Sequence, residues 1–483
     1  MRSKNVGGLL IWLIIYFFVW TINSCYLDPL LPYDAVEAIN WARNAEWGTP
    51  KNPWLPGMMM RPVFWFPKYH PVVYWYAIHF LCVAVGMAGC WALVFKLTGR
   101  VRLAWLGMLT LLLSGITSFD IIPYNDNYLL VMLWPWSVFF FLHAIECDSR
   151  FWILFGVLGG LSLMAKYSSA AIIFPLILFT FFSSRIRRHY RQIWIWLGWA
   201  AGLLLVLPNL VWLLEHNFAA YHWVGSEIMT GLNTHALTSV VCVFYPLLFL
   251  VGYLYSKGGR FCWPARYLHW IVVVSYVCPL LVIFICFSFF DGGRFTEWIQ
   301  PFMVLGPAVI LACLHEPADV LPETKIIKGL SIFGMMVAVG YAGVMIGNLS
   351  NAGQKMRGLS TFSRELESKW ISYYGQPLRY VGGEYLSQWL TIYVTSGPEV
   401  ITPWDNHNRP NIYNAHISSE KISRHGVLLI GKAGERCPST VRLNFHKQWA
   451  HIPVASTENV LLKMDDRSPA QWVCIGYVSP EVN

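Results

Sequence analysis

Asp34 and Glu37, followed by Trp41, are the first residues in the chain whose types and spacing could do chemistry. On a helix they fall at i, i+3 and i+7, along one face. A carboxylate held there can take the proton of an attacking hydroxyl, with a second acid in support. The same spacing has a plainer use: Asp34 can cap a helix, and Glu37 stands at the capping-box position three residues later. Downstream, Trp47-Gly48-Thr49-Pro50-Lys51-Asn52-Pro53 fixes a lysine among prolines, and Pro67-Lys68-Tyr69-His70-Pro71 offers a second such lysine with a histidine. Beside a bilayer, a fixed lysine suits the phosphate of a lipid, although long cationic side chains also snorkel to that depth without a ligand.

More polar islands follow between apolar stretches. Phe119-Asp120-Ile121-Ile122-Pro123-Tyr124-Asn125-Asp126-Asn127 holds Asp126 and Asn127, and Lys166 interrupts an apolar run. Asp291-Gly292-Gly293-Arg294-Phe295-Thr296-Glu297 brings an arginine and two acids. Glu215, His216 and His222 could hold a divalent metal, but that histidine separation is not a recognised ligand spacing. No Gly-rich nucleotide loop is evident.

A membrane domain must position these residues. The 483 residues are 56% hydrophobic and 13% charged, half the charge of about 25% usual in soluble domains. Charge is denser from 349 onward, which divides the chain into a membrane domain at 1–348, including an external loop at 28–71, and an external domain at 349–483. Apolar runs of spanning length lie at 9–27, 72–95, 103–119, 128–145, 151–165, 168–183, 192–214, 237–256, 267–290, 298–314 and 329–347, about eleven transmembrane helices. The first has no small-residue cleavage site and reads as a retained span.

With the N-terminus cytoplasmic, cytoplasmic segments hold fifteen Lys/Arg and external segments before the tail hold six, as the positive-inside rule requires. Making 151–183 a single span would turn the basic cluster at 185–191 outward, so it is split in two. The formal charge of +9 is then met by anionic lipid and needs no nucleic acid. The tail reads as a small α/β or α+β domain, with strands expected at Trp389–Thr395, Val427–Ile430, Val460–Met464 and Trp472–Val478. Cys437 and Cys474 are its two cysteines and can pair if that compartment is oxidising.

In this arrangement the acids and bases gather on external loop tips rather than at mid-bilayer, where a secondary transporter places its polar residues. Asp34-x-x-Glu37-x-x-x-Trp41, Trp47-Gly48-x-x-Lys51-x-Pro53, Pro123-Tyr124-Asn125-Asp126-Asn127, Ala165-Lys166-Tyr167-Ser168, and Pro208-Asn209-Leu210-Val211-Trp212 with Glu215-His216-Asn217 together resemble the GT-C superfamily. These are bacterial integral-membrane glycosyltransferases related to protein O-mannosyltransferases and to the lipid A aminoarabinose transferase. The resemblance covers roughly residues 5–315, in order.

It implies a polyprenyl-phosphate sugar donor, a lipid, glycolipid or other envelope acceptor, and inverting transfer on the periplasmic face of the inner membrane. It places the catalytic carboxylate on Asp34 and the donor-phosphate contact on Lys51, a role that Lys68 or His70 can share because their segment resembles the same motif. Apart from the resemblance, the chemistry makes Glu37 a supporting acid and gives Arg294 a share in stabilising the departing phosphate. Asp126, Asn127, Lys166 and Glu215 are further candidates. The chain departs from many relatives in carrying Pro50 before that lysine and Asn127 where they carry an acid. A polytopic lipid or sugar transporter is the alternative from another class, and a non-enzymatic scaffold a third.

Overall fold

Inside a bilayer an apolar run can satisfy its own peptide groups by closing into a helix. The computed structural model describes residues 3–65, 71–119, 127–227, 229–231, 233, 235–291, 295–315, 320–401, 414, 416–438, 445–446 and 448–481. Its α-helices are, in order, α1 (Ser3–Leu27), α2 (Tyr33–Asn44), α3 (Leu55–Met60), α4 (Pro71–Thr98), α5 (Val101–Thr110), α6 (Asn127–Glu146), α7 (Phe151–Ala165), α8 (Ala170–Phe182) and α9 (Ser184–Arg187). Then come α10 (Ile193–Glu215), α11 (Ala219–Glu227), α12 (Ala236–Ser256), α13 (Tyr267–Ser288), α14 (Phe295–Ile299), α15 (Gly306–Ala312), α16 (Thr324–Tyr374), α17 (Leu386–Tyr393) and α18 (Ser419–His425).

The apolar runs expected to span are largely helical, with breaks inside 103–119 and 298–314. Among the described residues, seven helices are long and apolar enough to cross a membrane, or nine if two bent pairs, Tyr167–Phe182 with Ser184–Arg191 and Phe295–Val304 with Gly306–Ala312, each make one span. Val101–Leu113 and Phe151–Ala165 are apolar but shorter, about 20 Å at 1.5 Å per residue against roughly 30 Å of hydrocarbon. The chain is a multi-pass membrane protein.

Two compact units divide it: Met1–Asn23, Trp75–Glu215 and Val224–Gly343 form the first, and Ser24–Tyr74, His216–Trp223 and Val344–Asn483 the second. The division expected at 348/349 falls inside α16, and the loop at 28–71, grouped by sequence with the membrane domain, lies in the second unit. There α2 packs on α3 and α17.

In the first unit α7 and α10 lie backbone to backbone. A Cβ on Gly156 would fall 1.9 Å from the Gly198 carbonyl oxygen, and one on Gly160 would fall 2.9 Å from that of Gly202. Each helix therefore presents a Gly-x-x-x-Gly stripe, which lets membrane helices approach this closely. Gly156 meets Gly198 and Gly160 meets Gly202, so the two helices run in the same direction. The chain between them must therefore run back, and α8 lies in that interval. At the starting end, the Trp152 ring lies 5.7 Å from the His189 ring, which brings Arg150 and the 185–191 basic cluster to one side. Four two-residue strands, β1 (Met229–Thr230), β2 (Arg260–Phe261), β3 (Phe290–Asp291) and β4 (Leu314–His315), pair antiparallel as β1 with β3 and β2 with β4.

The second unit contains a five-stranded mixed sheet of β5 (Tyr380–Gly383), β6 (Glu399–Val400), β7 (Val427–Ile430), β8 (Ser456–Leu462) and β9 (Gln471–Val478), in the order β6-β5-β7-β9-β8. β5 is parallel to both β6 and β7, with Val381 opposite Val400 and Leu428. β7 and β8 flank β9 antiparallel. Strands expected at Val427–Ile430 and Trp472–Val478 are present as β7 and β9, and the one expected at Val460–Met464 starts earlier. The run Trp389–Thr395 is not a strand. Leu386, Leu390 and Tyr393 recur at helical spacing, and the segment forms the crossover helix α17 that a parallel β5–β6 pair requires. Val427 and Leu429 enter the core with Tyr380, Ile422, Phe445 and Val478, while alternation sends Leu428 and Ile430 to the other face. Cys437 and Cys474 form a disulfide.

Candidate active site

The order of residues around Asp34 decides its surroundings. α2 opens at Tyr33, with Pro32 in the N-cap position, extended and without a side-chain cap. The capping role expected for Asp34 is therefore overturned: the helix starts one residue earlier, and Asp34 stands in its first turn. A carboxylate is favourable there against the helix dipole, and Glu37 follows one turn on.

Both acids turn to the same cation. Lys51 Nζ donates to Asp34 Oδ1 at 3.0 Å and to Glu37 Oε2 at 2.8 Å. The side chains of Glu37, Lys51 and Asp34 are 2%, 13% and 22% exposed, so the ion triad is largely withdrawn from solvent and opens to it at Asp34. When all three are charged, the triad carries one net negative charge. The sequence named each of these residues; the fold brings them within hydrogen-bonding distance.

Lys51 is held by a turn that the sequence reading did not single out. Thr49 Oγ1 accepts the N–H of Lys51 at 3.2 Å and of Asn52 at 2.8 Å, and donates to the Asn52 carbonyl at 2.9 Å. The Thr49 N–H reaches the same carbonyl at 2.8 Å. Threonine hydroxyls close turns in this way, and Pro50 presets its own φ. Pro50, a departure from the family pattern, is thus part of the turn. Gly48 bridges to Pro53, and the rings of Trp47 and Trp54 meet edge to face at 5.9 Å. Thr49 and Asn52 are buried. Trp41, the third residue of the α2 face, is buried against α3, where a Cβ on Gly57 would lie 2.9 Å from that of Trp41.

A second polar cluster lies within the first unit. Asn127, the fully buried first residue of α6, donates to the Glu297 backbone carbonyl at 3.1 Å and to Gln300 Oε1 at 3.0 Å, and accepts from Lys166 Nζ at 3.2 Å. Tyr167 donates its hydroxyl to Asn209 Oδ1 at 3.2 Å, and Trp134 Nε1 donates to Ser169 Oγ at 3.1 Å. The polar break between α7 and α8 thus ties itself to α6 and α10. Sequence reasoning flagged Lys166 and Asn127 separately and missed Gln300, whose side chain is drawn in by Asn127.

Glu215 is exposed at the last turn of α10. Lys68, His70, Asp126 and Arg294 lie outside the described residues. Among the described residues no group of three or more His, Cys, Asp or Glu could hold a metal ion. Glu215, His216 and His222 do not fit the divalent metal that the sequence left open.

A family model described as dolichyl-phosphate-mannose-protein mannosyltransferase matches residues 71–212, from α4 into α10. The crystal structure of ArnT from Cupriavidus metallidurans bound to undecaprenyl phosphate superposes with a TM-score of 0.63 at 12% identity, covering 97% of this chain and 98% of that one. Its apo form superposes with a TM-score of 0.62 at 12% identity, covering 99% and 100%. No curated protein matches the sequence. The fold is that of ArnT, one of the architectures that the sequence resemblance implied.

Proposed function

We propose that the chain is a glycosyltransferase that moves a sugar from a polyprenyl-phosphate-linked donor to a lipid or other envelope acceptor, with inversion, on the periplasmic side of the inner membrane. The observation that carries this reading is the ion triad. Lys51 sits between two acids on a helix just past the first apolar helix, and it is the side chain an arriving phosphate would compete for. A donor phosphate bound by Lys51 loosens its hold on Asp34, whose carboxylate then takes the proton of the acceptor hydroxyl. The acceptor oxygen forms its bond to the anomeric carbon as the carbon–oxygen bond to phosphate breaks, and that electron pair leaves with the polyprenyl phosphate. Lys51 stabilises the departing charge, Glu37 keeps Lys51 in place, and Lys68, His70 and Arg294 are further cations for the phosphate. Both lipids are confined to one membrane, which supplies proximity.

ArnT, of the same fold, binds undecaprenyl phosphate, and the matching family model carries a dolichyl-phosphate sugar in its description; both support a polyprenyl-phosphate donor. The test compares envelope glycolipids by mass spectrometry from cells carrying the intact chain and cells carrying Asp34→Asn at equal expression. A sugar-sized mass present with the first and reduced on the order of 100-fold or more with the second is expected, since general-base catalysis is worth about 10²–10⁴. Identical spectra, together with no difference in glycosylated envelope proteins, overturn the reading.

A further inference from the structure

An isolated helix as short as α2 is marginal, so whatever fixes α2 also fixes Asp34 and Glu37. Three contacts from the C-terminal part of the second unit do so. At its start, the Tyr33 ring meets the Tyr385 ring edge to face at 6.1 Å. At its middle, the fully buried Asn40 donates to the Val36 carbonyl of its own helix at 2.9 Å and to the Gln388 carbonyl at 3.3 Å, while its Oδ1 lies 2.9 Å from Thr391 Oγ1, whose one proton is shared between Asn40 and the Gln388 carbonyl at 2.7 Å. At its end, Arg43 donates to the Gly397 carbonyl at 2.6 Å and lies over the Phe64 ring at 4.8 Å.

The loop that receives Arg43 is itself held. Glu367 on α16, buried, accepts the N–H of Thr395 at 3.1 Å and of Ser396 at 2.8 Å. Gly397 has φ +58, and a Cβ there would lie 2.5 Å from Arg43 Nη1. Tyr33, Asn40 and Arg43 form one stripe of α2, and Asp34, Glu37 and Trp41 form the stripe about 100° around the helix. One face is gripped, and the neighbouring face carries the carboxylates.

We infer that α17 and the loop at 395–397 are the positioning element for Asp34 and Glu37, with Asn40, Thr391 and Arg43 as positioning residues. This gives the C-terminal domain a part in the reaction and rests on the transfer reading above. The grip adds nothing to substrate contact. It sets the angle at which α2 presents its acids, and losing it lowers turnover while leaving donor-phosphate affinity nearly unchanged, because the Thr49 turn still presents Lys51.

Thr391→Val removes the hydroxyl at constant shape, and Thr391→Ser keeps it. The full chain in lipid nanodiscs is read in three ways: amide exchange across 33–44, binding of undecaprenyl phosphate as the probe, and sugar-bearing product from cells. For Thr391→Val we expect exchange across α2 about tenfold faster, product down about tenfold, probe affinity within twofold, and exchange in β7 unchanged. Thr391→Ser restores both losses. Unchanged exchange across α2 overturns the grip, and faster exchange with undiminished product overturns the positioning role. An intact chain that makes no product overturns the transfer reading instead, and the exchange measurement then decides the grip by itself.

Discussion

Replacing Lys51 by methionine keeps the length and apolar stem of the side chain and removes the cation from between two acids. Nζ lies 3.0 Å from Asp34 Oδ1 and 2.8 Å from Glu37 Oε2, so those two oxygens are at most about 6 Å apart. Two unit charges at that separation repel by about 3 kcal/mol at an effective dielectric of about 20. Glu37, 2% exposed, would lose this counter-charge at a buried site, and breaking a buried pair from one side costs roughly 3–5 kcal/mol. Asp34 is more exposed and screened, which holds the sum toward the lower end. Lys51→Met is therefore expected to weaken the packing of α2 by about 3 kcal/mol, or roughly 150-fold faster amide exchange at 33–44. Adding Glu37→Gln removes one of the two neighbouring carboxylate charges and should return most of that loss, a coupling of about 2 kcal/mol in the double-mutant cycle. Thermal unfolding followed by tryptophan fluorescence, at fixed detergent and lipid, should rank wild type first, the double variant next and Lys51→Met last. A single variant as stable as wild type, or a double variant no better than the single, refutes the reasoning and makes the triad a screened surface contact.

Two further outcomes follow from features away from the acids. Gly156→Ala puts a methyl 1.9 Å from the Gly198 carbonyl oxygen, whereas Gly159→Ala meets Ile173 at an ordinary 3.6 Å; the first should cost about 1–3 kcal/mol and the second almost nothing, read as midpoints of thermal unfolding. Cys474→Ser opens a loop with a sequence separation of 37, worth about 4 kcal/mol in the chain-entropy account, and limited proteolysis should cut the 437–474 region far faster than in wild type without altering the apolar helices.

Much of the helical framework was legible because a spanning helix needs only a local signal, a long apolar run. The acid pair was legible for a similar reason, since Asp34, Glu37 and Trp41 share a face through spacing alone. The start of α2 was not. Asp34 with Glu37 three residues on looks like a capping box, and only the lysine seventeen positions away explains why both carboxylates turn elsewhere. The mate of Asn40 is Thr391, some 350 residues on, beyond any periodicity. Trp389–Thr395 reads as β-rich by residue type, yet the parallel pairing of β5 with β6 forces a crossover there and the segment becomes a helix. The twin Gly-x-x-x-Gly stripes of α7 and α10 were visible as letters, but their facing register is a property of two helices and not of either one.

That register has a consequence for how the chain is made. α7 enters the membrane with a bare glycine stripe, and its mate on α10 is synthesised about 40 residues later, some two to eight seconds at roughly 5–20 residues per second. In that interval the stripe has no backbone to close on. α8, which must bring the chain back before α10 can run beside α7, is the neighbour at hand, with Ile173 facing Gly159. The helix that separates the partners in sequence is thus also the one able to shelter the earlier of them until the later is inserted.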